Sequence, residues 1–160
     1  MIITRLVISN DLAEVQTLMD VAFATLRDVY RPKPDAVPAL KNVELDTQTI
    51  VALAGGEIVG AACVYQDTNE LRVSQVAVVP KFRQRGVARK LLQFANDAAI
   101  ECGASQLWLN TIQETGNVAI FQRLGFTVHS TTKATWCISD RFEQLHDVSM
   151  RRKCVGGESS

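Results

Sequence analysis

No apolar run in the 160-residue chain approaches the roughly 18 residues that a membrane-spanning helix needs, and no excess of charge steers it. Lys plus Arg and Asp plus Glu both number 17, so no overall field draws the chain to nucleic acid or to an anionic membrane surface. Cys63, Cys102, Cys137 and Cys154 are scattered without a Cys-x-x-Cys pair, and neither His129 nor His146 stands at ligand spacing from them. A zinc site and a disulfide framework are therefore not expected, and the thiols read as reduced. Gly-x-Gly-x-x-Gly is missing too, which argues against a dinucleotide site. The opening Met1-Ile2-Ile3-Thr4-Arg5 lacks the apolar stretch of a signal peptide. Repeats, linkers and low-complexity segments are absent. The expectation is a cytoplasmic single domain over residues 1–153 with a flexible tail over 154–160, binding no metal, nucleic acid or membrane, as monomer or homodimer.

Against these absences stands one dense segment, Val76-Ala77-Val78-Val79-Pro80-Lys81-Phe82-Arg83-Gln84-Arg85-Gly86-Val87-Ala88. A β-branched strand stops at Pro80, which cannot donate to a ladder, and a helix begins near Gly86. The first-turn amides of such a helix have no partner inside it and carry the positive end of its dipole. An anion is stabilised there. Arg83 and Arg85 add fork-shaped donors, while Gly86 and the small Ala88 let backbone and ligand approach closely. Arg83-x-x-Gly86-x-Ala88 reads as a pyrophosphate cradle.

Around it the pattern is α/β. Ile2 to Ile8 reads as a strand. Asp11, with Glu14 three positions on, suggests a capping-box start for a helix bearing Leu12, Val15, Met19, Ala22 and Leu26. Pro32, Pro34 and Pro38 break that helix and predict a loop or short second helix as far as Leu45. Ile50 to Ala54 and Ile58 to Tyr65 flank Gly55-Gly56, a hairpin signal. Leu71 to Val79 feeds the cradle, and Val87, Leu91, Ala95 and Ala98 mark one face of the helix after it. Strands are expected at Gln106 to Thr111, Phe126 to Ala134 and Gln144 to Arg151, the last two as an antiparallel pair.

The cradle and its Val-x-Val strand resemble the GNAT N-acetyltransferases, whose signature is Arg or Gln, two residues, Gly, one residue, then Gly or Ala. Downstream, Asn117-Val118-Ala119-Ile120-Phe121-Gln122-Arg123-Leu124-Gly125-Phe126 resembles the second motif of that family. The resemblance implies a GNAT fold, a central mixed, mostly antiparallel sheet flanked by helices. It implies acetyl-CoA as cosubstrate, held by Val76, Ala77 and Val78 along the pantetheine arm. Arg83, Gln84, Arg85, Gly86, Val87 and Ala88 would surround the pyrophosphate, and Phe121 would lie near the sulfur; the family's Asn at the start of the second motif aligns with Glu114, with Asn117 three residues later. It further implies direct attack by an amine on the thioester in a ternary complex.

The chain departs from the family where protons move. Members often carry Glu or His on the strand feeding the cradle; Arg72 and Ser74 stand there instead. Strand periodicity puts Glu70, Arg72, Ser74, Val76 and Val78 on one face if no bulge intervenes. Two catalytic candidates follow, Ser74 orienting a water and Glu70 acting as a base through it. Arg72 is a candidate for holding the carboxylate or phosphate of a small anionic acceptor, the alternative being a pair with a surface acid. Phe121 replaces a Tyr proton donor, leaving a thiolate of pKa about 8.5 to depart unaided or with water. Asn117 is expected to cap its helix or to touch the cofactor. Two classes of function stay open: an acetyl-CoA-dependent N-acetyltransferase acting on a small amine, or less readily on a protein amine, and a non-catalytic acyl-CoA-binding module.

Overall fold

The computed structural model describes residues 1–36 and 47–156. Ile2–Leu6 forms the first strand (β1) and Leu12–Leu26 the first helix (α1), whose buried stripe is Val15, Leu18 and Met19. Asp11 does not cap α1 as its spacing to Glu14 suggests. Its Oδ2 accepts the Ile8 amide at 2.9 Å and the Arg5 guanidinium at 2.6 Å. It thus closes the short turn Ser9–Asp11 behind it, because the ion pair with Arg5 turns the carboxylate away from the helix. A two-residue strand, Arg31–Pro32 (β2), follows α1. The loop or short helix expected through Pro38 to Leu45 lies outside the described residues.

Gln48–Ala54 (β3) and Glu57–Asp67 (β4) make the expected hairpin. Gly55 and Gly56 take φ of 58° and 84°, the paired left-handed conformation that a tight hairpin turn demands. Glu70–Val78 (β5), Val87–Glu101 (α2), Gln106–Ile112 (β6), Asn117–Arg123 (α3) and Thr127–Lys133 (β7) follow in order. Cys137–Ile138 (β8) and His146–Lys153 (β9) complete the chain. The order matches expectation except for β2 and β8, two-residue pieces too short to show a period.

Seven strands form one sheet in the order β1-β3-β4-β5-β6-β9-β7, and β2 pairs with β8 apart from it. Every neighbouring pair is antiparallel except β5 and β6. One face of the sheet buries Ile50, Val64, Leu71, Val73 and Leu107 under Leu91, Leu92 and Ala95 of α2. The other buries Val51, Ala61, Cys63 and Ala77 under α1. Each layer removes apolar side chains from water, the main favourable term for a domain of this size.

The start of α2 is seated by Gly60. A Cβ built there would come within 2.6 Å of Val87 Cγ1 and 3.2 Å of the Ala77 carbonyl oxygen, so only glycine lets the helix sit this close to the strands. The far end of α2 is tied to the C-terminus through Asn96, 1% exposed. Its amide exchanges hydrogen bonds of 2.8 and 3.0 Å with the backbone of Val155, and the Cys154 amide donates to the Ser105 carbonyl. The expected free tail from residue 154 is therefore held as far as Val155. All four cysteines are free thiols. No helix among the described residues is long and apolar enough to cross a membrane.

Candidate functional site

β5 and β6 pair only over Glu70–Arg72 and Gln106–Trp108. Beyond that point the strands diverge, and β5 keeps its partner β4 on one edge while the other edge opens. A cavity of about 310 Å³ occupies the gap. It passes through the sheet, with Phe23 and Leu26 of α1 lining it on one side and Asn117 and Phe121 of α3 on the other. An unpaired strand edge offers N–H and C=O groups in alternation, which an extended amide-bearing arm can pair with.

Ser74 is where the expected register fails. Gln75 pairs with Cys63 and Val73 with Val64, leaving Ser74 without a partner on β4. This extra residue is a β-bulge, and it flips the side-chain parity of the strand. Val76 and Val78 consequently pack toward the α2 core. Glu70 and Arg72 share the α1-side face with Gln75 and Ala77, because Gln75 accepts from Cys63 Sγ at 3.4 Å and Ala77 is buried under α1. The single face expected for Glu70, Arg72, Ser74, Val76 and Val78 does not exist. Ser74 itself is exposed on the cleft wall, its Oγ donating to the Cys63 carbonyl at 3.3 Å.

Glu70 and Ser74 are not brought together. Glu70 Oε2 accepts from Gln106 Nε2 at 2.7 Å and Arg151 Nε at 3.0 Å, and the residue does not line the cavity. Engaged on the far side of the bulge, Glu70 is not placed to serve as a base. Arg72 does line the cavity. Its guanidinium lies 4.0 Å over the Trp108 ring and 5.9 Å from the Tyr65 ring, and Arg151 covers Trp108 at 4.7 Å. Arg72, Trp108 and Arg151 are register neighbours across β5, β6 and β9. Among the described residues none forms an ion pair with Arg72, so the surface-acid alternative is not what the structure holds.

At the cradle the chain leaves β5 through the turn Pro80–Phe82. Gln84 adopts φ of 63° and Gly86 φ of 84°, a left-handed step that Gly86 takes without strain. The space where a Gly86 Cβ would point is open. The first helical amide with a backbone acceptor is Lys90, bonded to the Gly86 carbonyl at 3.0 Å, so those of Val87, Ala88 and Arg89 remain for a ligand. Arg83, Gln84 and Arg85 are exposed beside them, while the Val87 side chain is core, 2% exposed. Val87 and the buried Ala77 can therefore meet a ligand only through backbone atoms.

Asn117 is not a cap. The N-cap of α3 is Gly116 in left-handed conformation, and the Asn117 amide donates to Thr115 Oγ1 at 3.2 Å. Asn117 occupies the first helical position and lines the cleft. Phe121 also lines it, edge-on to Phe126 with ring centroids 5.9 Å apart. Glu114 accepts the amide and ring nitrogen of His146 at 2.8 and 2.9 Å. Burial pushes its carboxyl up, but these bonds outweigh it and hold it below its ordinary value.

Residues 15–126 match the acetyltransferase (GNAT) family model. The chain belongs to the GNAT acetyltransferase family. It is 33% identical over 96 residues to a streptothricin acetyltransferase of Streptomyces lavendulae, a match covering 58% of this chain and 51% of that relative, so it spans about half of the relative's length. It is 29% identical over 126 residues to an IAA acetyltransferase of Azospirillum brasilense, covering 72% of this chain and 82% of that one. The ribosomal-protein-S18-alanine N-acetyltransferase of Escherichia coli superposes with a TM-score of 0.73 at 18% identity, covering 100% of this chain and 99% of that one. The GNAT fold read from the motifs is the observed fold, and membership makes the chain an acetyl-CoA-dependent acyltransferase by family.

Sequence reasoning missed Asp147 on the other wall of this GNAT cleft. Tyr30, Trp136 and Asp147 line it, brought together because β2 and β8 pair and because Ser139 Oγ donates to the Val29 carbonyl. Tyr30 and Trp136 meet edge-to-face at 5.7 Å. Burial raises the Tyr30 phenol against the opposing pull of Arg27, and burial, then the Asp147 carboxylate, pushes the Cys137 thiol up to about 11.

Proposed function

We propose that the chain transfers the acetyl group of acetyl-CoA to the primary amine of a small acceptor that also carries an anionic group. The observation that carries this reading is Arg72. It is half-buried in the cleft wall, stacked on Trp108, and without a carboxylate partner among the described residues. A guanidinium held flat by an aromatic ring keeps its donor fork for a carboxylate or phosphate. The acetyltransferase names of the two curated relatives support a small-molecule acceptor.

Acetyl-CoA supplies an activated acyl group and a thiolate leaving group. Arg83, Gln84, Arg85 and the free amides of Val87, Ala88 and Arg89 hold its pyrophosphate. The open edge of β5 after the bulge, from Gln75 to Val78, pairs with the pantetheine arm, and an N–H of that edge polarises the thioester carbonyl. Asn117 and Phe121 border the thiol end. Ser74 orients a water that takes the proton from the attacking nitrogen, and positioning supplies most of the rate. Such a site needs no side-chain acid, consistent with Phe121.

The test is thiol release from acetyl-CoA across amino acids, amino sugar phosphates, polyamines and peptides, with acetyl-CoA binding followed in parallel. Acceptor-dependent release, fastest with anionic amines, is expected. Binding without release for every acceptor would make the chain an acyl-CoA-binding module, and release with polyamines alone would remove the role of Arg72.

A further inference from the structure

Asp147 has no part in the reading above, yet its surroundings are unusual for a carboxylate. It is half-buried on β9 and lines the same cavity as Tyr30, Trp136 and Phe23. Its Oδ2 accepts a hydrogen bond from Trp136 Nε1 at 3.1 Å. Among the described residues no Lys, Arg or His forms an ion pair with it. Two cations border this wall: Arg27 lies over the Tyr30 ring at 5.3 Å from its centroid, and Lys33, whose amide donates to the Trp136 carbonyl, forms no ion pair with Asp147. A half-buried carboxylate without a counter-charge is costly in an aromatic setting. Trp136 fixes its orientation, Oδ1 accepts no side-chain hydrogen bond among the described residues, and two aromatic rings stand beside it. Carboxylate plus aromatic faces is the chemistry that binds an organic ammonium.

We propose that Asp147, flanked by Tyr30 and Trp136, is the seat for an ammonium group of the acceptor and sets the specificity of this wall. The seat lies away from Arg72, whose strand neighbour Trp108 is four residues along β6 from Ile112, the partner of Asp147. An acceptor that reaches both carries opposite charges separated by several bonds. This rests on the acetyl-transfer reading only for its meaning, since binding is measured without transfer. Asp147 acts here as a specificity-determining group, not as the base.

The CoA-bound full chain is titrated calorimetrically with n-pentylamine, 5-aminopentanoate and pentan-1-ol, as wild type and as Asp147→Asn and Trp136→Phe. Asn retains an oxygen for Trp136 Nε1, so the variant keeps the hydrogen bond and loses only the charge; thermal melting checks that it folds. Wild type is expected to bind both amines and not the alcohol. Asp147→Asn should weaken the amines at least tenfold and leave CoA affinity within twofold, and Trp136→Phe should weaken them less. Amine binding within twofold of wild type in Asp147→Asn, or no amine binding by wild type, overturns the seat. Acetyl-CoA in place of CoA reads the transferase separately: amine binding with no thiol release for these amines or any acceptor of the panel above would defeat the transferase reading and leave the seat standing.

Discussion

On the reading proposed above, the cofactor side of the cleft occupies the unbroken run Val76 to Ala88 and offers its ligand mainly backbone amides left unpaired at a strand edge and a helix start. The proposed acceptor side draws Tyr30 from beyond α1, Arg72 from β5, Trp136 from before β8 and Asp147 from β9, and offers side chains instead. A backbone site depends on local conformation and so on a few neighbouring residues. A side-chain site depends on which distant segments the fold stitches together. The first is held by Gly60 and Gly86, the second by a two-residue ladder and one serine hydroxyl.

Four substitutions probe that division. Arg72→Leu removes charge-assisted hydrogen bonds worth about 1.5–3 kcal/mol, so KM for an anionic acceptor should rise roughly 10- to 100-fold with KM for acetyl-CoA unchanged in steady-state assays. A matching rise for acetyl-CoA would erase the division. Gly60→Ala forces a methyl against Val87 and the Ala77 carbonyl, and overpacking of this kind costs about 1–3 kcal/mol. Chemical denaturation should show that loss, and calorimetry should show weaker acetyl-CoA binding because the helix start is pushed off the sheet. Gly86→Ala meets no atoms but strains a residue at φ of 84°; a loss of about 1 kcal/mol is expected, with acetyl-CoA affinity falling and acceptor selectivity intact. Phe121→Tyr should be nearly silent in acetyl-CoA binding, since the ring packs edge-on against Phe126. A large gain in kcat there would show that proton supply to the thiolate limits turnover.

The same division explains what was legible. The passage from strand through turn to helix at the cradle could be read because Pro80 and Gly86 act on backbone within a few residues of each other. The hairpin at Gly55-Gly56 was readable for the same reason. The bulge was not, since nothing in Val73-Ser74-Gln75 marks an extra residue until Cys63 and Val64 are seen opposite. That single unmarked residue moved Val76 and Val78 to the other face. Asp11 misled because a carboxylate that reads forward to Glu14 has Arg5 behind it. Asp147 carried no local signal at all, for its meaning comes from Trp136 and Tyr30, and a sequence records neither distance.

The bulge also bears on how such a chain can change over time. Because β5 shows opposite faces before and after Ser74, substitutions at Arg72 reshape the cleft wall without touching Val76 and Val78, which pack toward α2. One strand thus carries two independently mutable records, and a lineage can exchange acceptors while its hold on the acyl donor is inherited unchanged.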